Sequence, residues 1–426
     1  MPAAIVMGPP LIVALVAALV AGRRGWAPPL WLSLSVGAAL RLLIMIFAVL
    51  DSAEPYDFKH DFTGAADHVL DGRNPTLHMR EGGWHFLPLL AYVLAGQRLL
   101  GDLLGLPWGV VGRLVPILAD LALIPLVARL ASDRGALRAF QYACVPIAVL
   151  VSGYHGQLVS ITLLFAVAAM LAARSGRAHA AGALIGLSLS CTHWSVLLVP
   201  GVVLSVRGVR SRLTVLGWTA AVPAVTLLSS SVFLDTPFSR LPELARAIIS
   251  TRPVVGDWGW STLVTGGAQM VVPELGRIGL PILLVALVAA GWWWRRAEPI
   301  DLTIVVVLVF LIVTYRLGAQ YLLWPMPYLI ARGLPRAWPA IAAACLWAAF
   351  GYLRLYELAG VTWSAAHAPW AYSSFLAIAL LAAALPWGAR HGSAGPAAEP
   401  AEPADVPEPA GAGEKGKQAG SRPHSL

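Results

Sequence analysis

Charge is scarce in this sequence: 12% of the 426 residues are Asp, Glu, Lys or Arg, against 58% hydrophobic. A soluble domain of that length cannot hide so much apolar side chain, so the scarcity excludes a water-soluble protein and implies many membrane crossings. Cysteine is also sparse. Cys144, Cys191 and Cys345 each lie inside an apolar run and outside any metal-ligand spacing, which leaves them as packing residues with no redox role. The chain has no Walker-type loop, dinucleotide fingerprint, HExxH or nucleophile elbow, so nothing in it supports a nucleotide-sugar site. A fixed-period repeat or internal duplication is absent too, which counts against transporters built from repeats.

The net charge is +8, but the basic residues are dealt out in small groups between apolar runs rather than clustered on one face. That distribution is the mark of membrane topology and excludes nucleic acid as a partner. The runs fall near 2–22, 28–50, 108–131, 137–153, 157–174, 178–192, 194–206, 213–234, 275–294, 300–316, 318–332, 337–356 and 368–388. They predict an all-α, polytopic transmembrane helical bundle of about 11–13 spans. The first run has no basic segment before it and reads as a span rather than a removable signal peptide. Arg23 and Arg24, Arg174 and Arg177, Arg207 to Arg212, Arg295 and Arg296, and Arg332 and Arg336 occupy alternate loops. Placing those loops in the cytoplasm puts the large loops 51–107 and 235–274 outside a plasma membrane.

Within these outer loops, Phe86 to Leu106 has apolar residues at helical spacing broken by Gln97, Arg98 and Asp102, which predicts a helix lying in the membrane interface. "SRLPELARAIIS" reads as a second amphipathic helix and "GDWGWS" as a tight aromatic turn. Residues 1–388 thus form the transmembrane domain. The Pro, Ala, Glu and Gly-rich segment 389–426 reads as a disordered cytoplasmic tail, because it cannot bury enough apolar surface to offset its ordering entropy.

The densest polar chemistry is "YDFKHDFTGAADHVLDGRNP", Tyr56 to Pro75. Asp57 and Asp61 are four apart, so in a helix their carboxylates share one face. One carboxylate of raised pKa can take a proton from a hydroxyl nucleophile while its neighbour orients the acceptor or a metal. The plain alternative is a hydrated loop at the end of a span. Asp57, Asp61 and His60 have the oxygen and nitrogen donors for one Mg²⁺ or Mn²⁺, though nothing in the sequence requires it. Arg316 lies at an outer membrane end, where snorkelling to the interface is the plain reading of an arginine. Trp258 and Trp260 suit either stacking on a sugar ring or anchoring in the interface. Arg41 and Asp120 sit deep in their spans, where pairing is expected, of Asp120 with Arg41 or with Arg113.

"DFTGAADHVLDGRNP" followed by "WHFLPLLAYVL" resembles the first luminal loop of the polyprenol-phosphate-dependent glycosyltransferases of the GT-C class. The likeness is to bacterial GT87-type mannosyltransferases and to the first mannosyltransferase of glycosylphosphatidylinositol assembly. "GYHGQLVSITLLFAVAAMLAARSGRAHAAGALIGLSLSCTHWSVLLVP" is similar to their paired spans, "GAQYLLWPMPYLIA" to their late QY-x-x-W span, and Arg41 to an arginine of an early span. The chain departs from the family in its D-x-x-x-D spacing, in His155 and Gln157 where relatives carry Gln-x-Asp, and in His193 where they carry lysine.

The resemblance implies a GT-C-like fold and a mannosyltransferase acting at the extracytoplasmic face. The donor would be a polyprenyl-phosphate sugar, the acceptor a hydroxyl of a glycan or glycolipid, and the surroundings membrane lipids. It implies Asp61 as general base, with Asp57 second, Arg316 gripping the leaving phosphate through a bidentate fork with Arg73, His155 and His193 as neighbours, and Gln157, Gln320 and Tyr321 among the residues that hold substrate. A transporter or flippase of a lipid-linked glycan is the alternative, and a non-catalytic scaffold the third. Concentration of the acids in one outer loop, rather than along a midplane path, favours the enzyme.

Overall fold

A computed structural model of the chain describes residues 3–50, 54–80, 83–249, 254–334, 336–355, 358 and 360–391. The predicted tail lies outside the described residues from position 392 onward. The described chain is almost entirely helical; the two-residue strands Val254–Val255 and Met270–Val271 form one antiparallel pair.

Six helices are long and apolar enough to cross a membrane: Ala4–Arg24, Leu30–Leu50, Trp108–Leu130, Val209–Phe233, Pro273–Trp293 and Gly360–Ala383. This is the architecture of a multi-pass membrane protein. The predicted run 137–153 proves to be two helical pieces, Gly135–Ala143 and Pro146–His155, bent by 53°. Pro146 opens the second piece, and a proline tolerates a helix start better than a helix interior. Five more apolar helices are shorter, at Val159–Arg174, Ala178–Cys191, His193–Ser205, Pro299–Val313 and Ala337–Leu353. The run 318–332 is likewise broken, into a 3₁₀ turn Ala319–Leu323 and a helix Met326–Arg332.

Sequence decides which helices are central. Pro299–Val313 reads PIDLTIVVVLVFLIV, apolar on every side, and is buried around its circumference against Val199–Ser205, Pro273–Trp293 and Gly360–Ala383. Val209–Phe233 and Pro273–Trp293 instead leave Leu213, Val225, Val285 and Val288 exposed, the pattern of helices facing lipid. Gly182 and Gly186, four apart, let helix Ala178–Cys191 meet Val209–Phe233 backbone to side chain. A Cβ on Gly182 would come within 2.7 Å of the Val215 carbonyl.

The buried charges follow the expected pairing. Arg41 Nε donates to Asp120 at 2.7 Å, with both side chains fully buried, and Tyr142 and Ser152 complete the shell around the carboxylate. Arg113 takes different partners, the carboxylate of Glu54 at 3.1 Å and the carbonyl of Tyr154 at 2.8 Å. At another cluster, Arg332 grips Asp301 with two bonds of 2.7 and 2.9 Å and reaches Glu298, near Arg174.

Both predicted amphipathic helices are present, at Pro88–Leu104 and Leu241–Ile249. The first packs Leu90, Ala91 and Leu94 inward while Leu99, Leu103 and Leu104 stay exposed. Gln97 is tied to the Val111 carbonyl and Arg98 pairs with Asp67 and Asp102, so its three polar interruptions are used. The last helix begins at Gly360, earlier than the run near 368 predicted, because Pro369 is accommodated inside it.

Candidate active site

The acidic stretch folds as a π-helical turn, Asp57–Phe62, running into helix Thr63–Leu70. A second π-helical turn, Leu150–His155, lies beside it. Such turns widen the helix and recur at functional sites because they re-aim single side chains. Gly156 makes the approach possible: its φ is +70°, and a Cβ there would stand 2.6 Å from the Phe58 ring. Phe58 is fully buried between Trp108 and the Arg113 guanidinium, which lies 4.0 Å from the ring centroid.

Asp57 is thereby delivered to His155 and Gln157. His155 Nε2 lies 2.7 Å from one carboxylate oxygen and Gln157 Nε2 donates to the other at 2.6 Å, while the Phe58 N–H donates at 2.9 Å. The other histidine nitrogen, Nδ1, is 3.0 Å from the Tyr352 hydroxyl. His155 thus bridges the Asp57 carboxylate and the Tyr352 hydroxyl. Asp61 is held by Arg80, with bonds of 3.0 and 3.3 Å to its two oxygens.

These residues line a cavity of two lobes. The first, about 540 Å³, is bordered by Asp57, Asp61, Arg80, His85, Arg316 and Tyr321. The second, about 580 Å³, is bordered by His155, Tyr352, Trp363, His367 and Trp370. Asp57, Asp257 and Gln320 border both, so they stand on the seam. An apolar groove of about 360 Å³, lined by Leu89, Ile161, Phe165 and Cys191, sits between the amphipathic helix and the helices Trp108–Leu130, Val159–Arg174 and Ala178–Cys191. Its lining continues along the chain from the first lobe's Phe86, Val159 and Thr192.

The two carboxylates differ electrostatically. Burial pushes the Asp57 carboxyl up, but the adjacent His155, the Phe58 N–H and Gln157 outweigh it and hold the group below the usual aspartate range. Burial also pushes Asp61 up; Arg80 opposes this only in part, and Asp61 ends above the usual range. By linkage, Asp57 contributes stability at neutral pH that is lost as pH falls through its lowered value. Ionised Asp61 carries a cost above its raised value that is relieved as pH falls through it.

Most of the residues expected from sequence converge here: Asp57, Asp61, His155, Gln157, Arg316, Gln320 and Tyr321. His193 stands beside the first lobe next to Thr192, its ring 5.2 Å from that of Trp194 and tilted by 40°, and does not line it. Three expectations are corrected. Arg73 pairs with Asp71 on an exposed surface and borders neither lobe, because the turn after helix Thr63–Leu70 carries it away. Trp258 is fully buried, donates to the Leu311 carbonyl at 2.7 Å and abuts Trp347 at 4.8 Å, so no ring face is left for a sugar. Trp260 donates to the Val313 carbonyl at 2.9 Å and also borders neither lobe. Both tryptophans fasten the aromatic turn to the end of the central helix. Trp258→Ala should therefore cost about 3–5 kcal/mol of stability, read as a lower unfolding temperature.

Of the metal donors read from the sequence, Asp57 and Asp61 border the first lobe and His60 does not. The two acids are engaged by His155 and Arg80, the His60 ring rests 4.6 Å from Tyr56, and no group of three metal-ligating side chains converges among the described residues. Sequence reasoning passed over Arg80, His85, Asp257, Tyr352, Trp363, His367 and Trp370. Asp257 stood in view inside "GDWGWS", where the tryptophans drew attention instead. His367, Trp363 and Trp370 fell in a segment read largely as loop, without the helical periodicity that puts them together. Compared with models of known families and with curated proteins, the chain matches none.

Proposed function

We propose that this chain is an integral-membrane glycosyltransferase of GT-C type, moving a sugar, in first place mannose, from a polyprenyl-phosphate donor to an acceptor hydroxyl at the outer face of the plasma membrane. The observation that carries the reading is Asp57 on the seam between two lobes, with Arg80 and Arg316 in only one of them. The arginine-bearing lobe suits a phosphate, and the apolar groove lined by Leu89, Ile161 and Phe165, close in sequence to that lobe's Phe86 and Val159, suits an isoprenoid chain.

In this reaction the acceptor oxygen attacks the anomeric carbon as its proton passes to Asp57. The bond from that carbon to the phosphate oxygen breaks, and the electron pair leaves on the lipid phosphate, facing Arg316. His155 and Gln157 hold Asp57 in position and keep it ionised. Asp61, preferred on sequence alone, fits the role less well because it borders only the arginine-bearing lobe, whereas Asp57 faces both. The closed Arg41, Asp120, Tyr142 and Ser152 network supports an enzyme over a flippase, since its groups satisfy one another instead of lining a path.

The test is transfer in vesicles carrying the full chain, supplied with labelled polyprenyl-phosphate mannose and an extract of membrane glycolipids. Label should move to acceptor, a nucleotide sugar should not substitute, and Arg316→Ala should raise the donor KM. Movement of intact labelled lipid across the bilayer without cleavage would instead establish the flippase. The pH profile separates the two carboxylates. With Asp57 as base the acid limb lies below the ordinary aspartate value of about 3.9; with Asp61 it lies above.

A further inference from the structure

Asp257 and His367 form a second carboxylate–imidazole pair, bordering the same lobe as Asp57 and His155. His367 Nε2 lies 2.9 Å from Asp257, and its Nδ1 lies 2.7 Å from the Gly267 carbonyl. A carbonyl only accepts, so Nδ1 carries a proton; the bond to Asp257 then needs another proton, on Nε2 or on the carboxyl. The pair is therefore neutral overall, whichever of the two groups carries that proton.

The second lobe consequently differs in kind from the first. No Arg or Lys is among the described residues lining it, whereas the first lobe has two arginines. Beside His155, His367, Tyr56 and Tyr352, its polar groups are acids and amides: Asp57, Asp257, Gln320 and Gln269, the last donating to Asp257 at 3.1 Å. Its walls are aromatic and fixed in place. Trp370 stacks on Trp347 at 4.2 Å and 15°, and Trp363 stacks on His367 at 4.3 Å and 24°. Rigid ring faces beside planar amides and carboxylates suit a pyranose, which offers an apolar C–H face and a rim of hydroxyls.

We infer that the second lobe is a subsite for a neutral hexopyranose, with Trp363 and Trp370 bordering the ring and Asp257 and Gln269 taking its hydroxyls. Its place as the acceptor side of a transfer reaction rests on the proposed function; sugar binding itself does not. The lobe opens on Asp57, so a hydroxyl of the bound sugar has a route to that carboxylate.

The experiment titrates labelled hexose trisaccharides of the mannose, glucose and galactose series onto the full chain in lipid nanodiscs, with and without transfer assays. At least one series should bind, and Trp363→Ala and Gln269→Ala should each weaken it by about tenfold. Trp292→Ala, at an exposed tryptophan far along the chain, should leave it unchanged. Should Trp363→Ala fail to fold, Trp363→Phe with the exposed Gln269→Ala carries the comparison. Binding that depends on these residues without any transfer activity removes the transferase reading and supports the subsite. Absent binding, or binding indifferent to Trp363 and Gln269, overturns the subsite, whatever the transfer assay shows.

Discussion

Asp57→Asn should lower glycosyl transfer by about 10²–10⁴-fold while the protein still inserts and folds. The size of the loss follows from the proton that the attacking hydroxyl must surrender, which an amide cannot accept. Folding should survive because the substitution is nearly isosteric and the site is partly open, 31% of the Asp57 side chain being accessible. The His155 and Phe58 donors can still reach the amide oxygen, and only the Gln157 contact is set donor against donor. That mismatch costs on the order of 1–3 kcal/mol. Asp61→Asn should have a smaller effect, exerted by freeing Arg80. Turnover per folded molecule in vesicles measures both. Full turnover by the Asp57 variant beside a collapse in the Asp61 variant would return the base to Asp61 and overturn the order argued from the position of Asp57 between the lobes.

The contrast between these carboxylates marks how far the sequence could be read. Their presence on one segment and their approach to Arg316, Gln320 and Tyr321 were legible, because spans of membrane length bring alternate loops to one end of a bundle. Helix boundaries followed closely wherever an apolar run was unbroken. What failed was finer than periodicity. The π-helical turns that aim Asp57 at His155 depend on Gly156 meeting Phe58, a tertiary contact between residues 98 apart. Trp258 shows the same limit from the other side: glycines around an indole are consistent with a binding turn or with an anchored one, and only the Leu311 carbonyl decides between them. Asp257 and His367, 110 residues apart, had no local signal to link them.

Asp120→Asn should destabilise the bundle by about 3–5 kcal/mol, the largest loss of stability expected here from a single polar substitution. Arg41 has 0% exposure and its neighbouring carbonyls, Gly37 and Ala143, accept hydrogen bonds without cancelling its charge. Removing the carboxylate therefore leaves a cation in an apolar interior, where charge is costly unless paired. Tyr142 and Ser152 lose part of their shared acceptor at the same time. The penalty belongs to the orphaned charge rather than to the attraction itself. Arg41→Met combined with Asp120→Leu should thus recover much of the lost stability, because two apolar side chains leave nothing unpaired. Thermal unfolding of the variants in one detergent measures the comparison. A double variant as unstable as Asp120→Asn would mean that the pair fixes the packing of helix Leu30–Leu50 against Trp108–Leu130 by geometry, and that the electrostatic account is wrong. Because the network lies apart from both lobes, the double variant should also keep the donor and acceptor KM of the wild type.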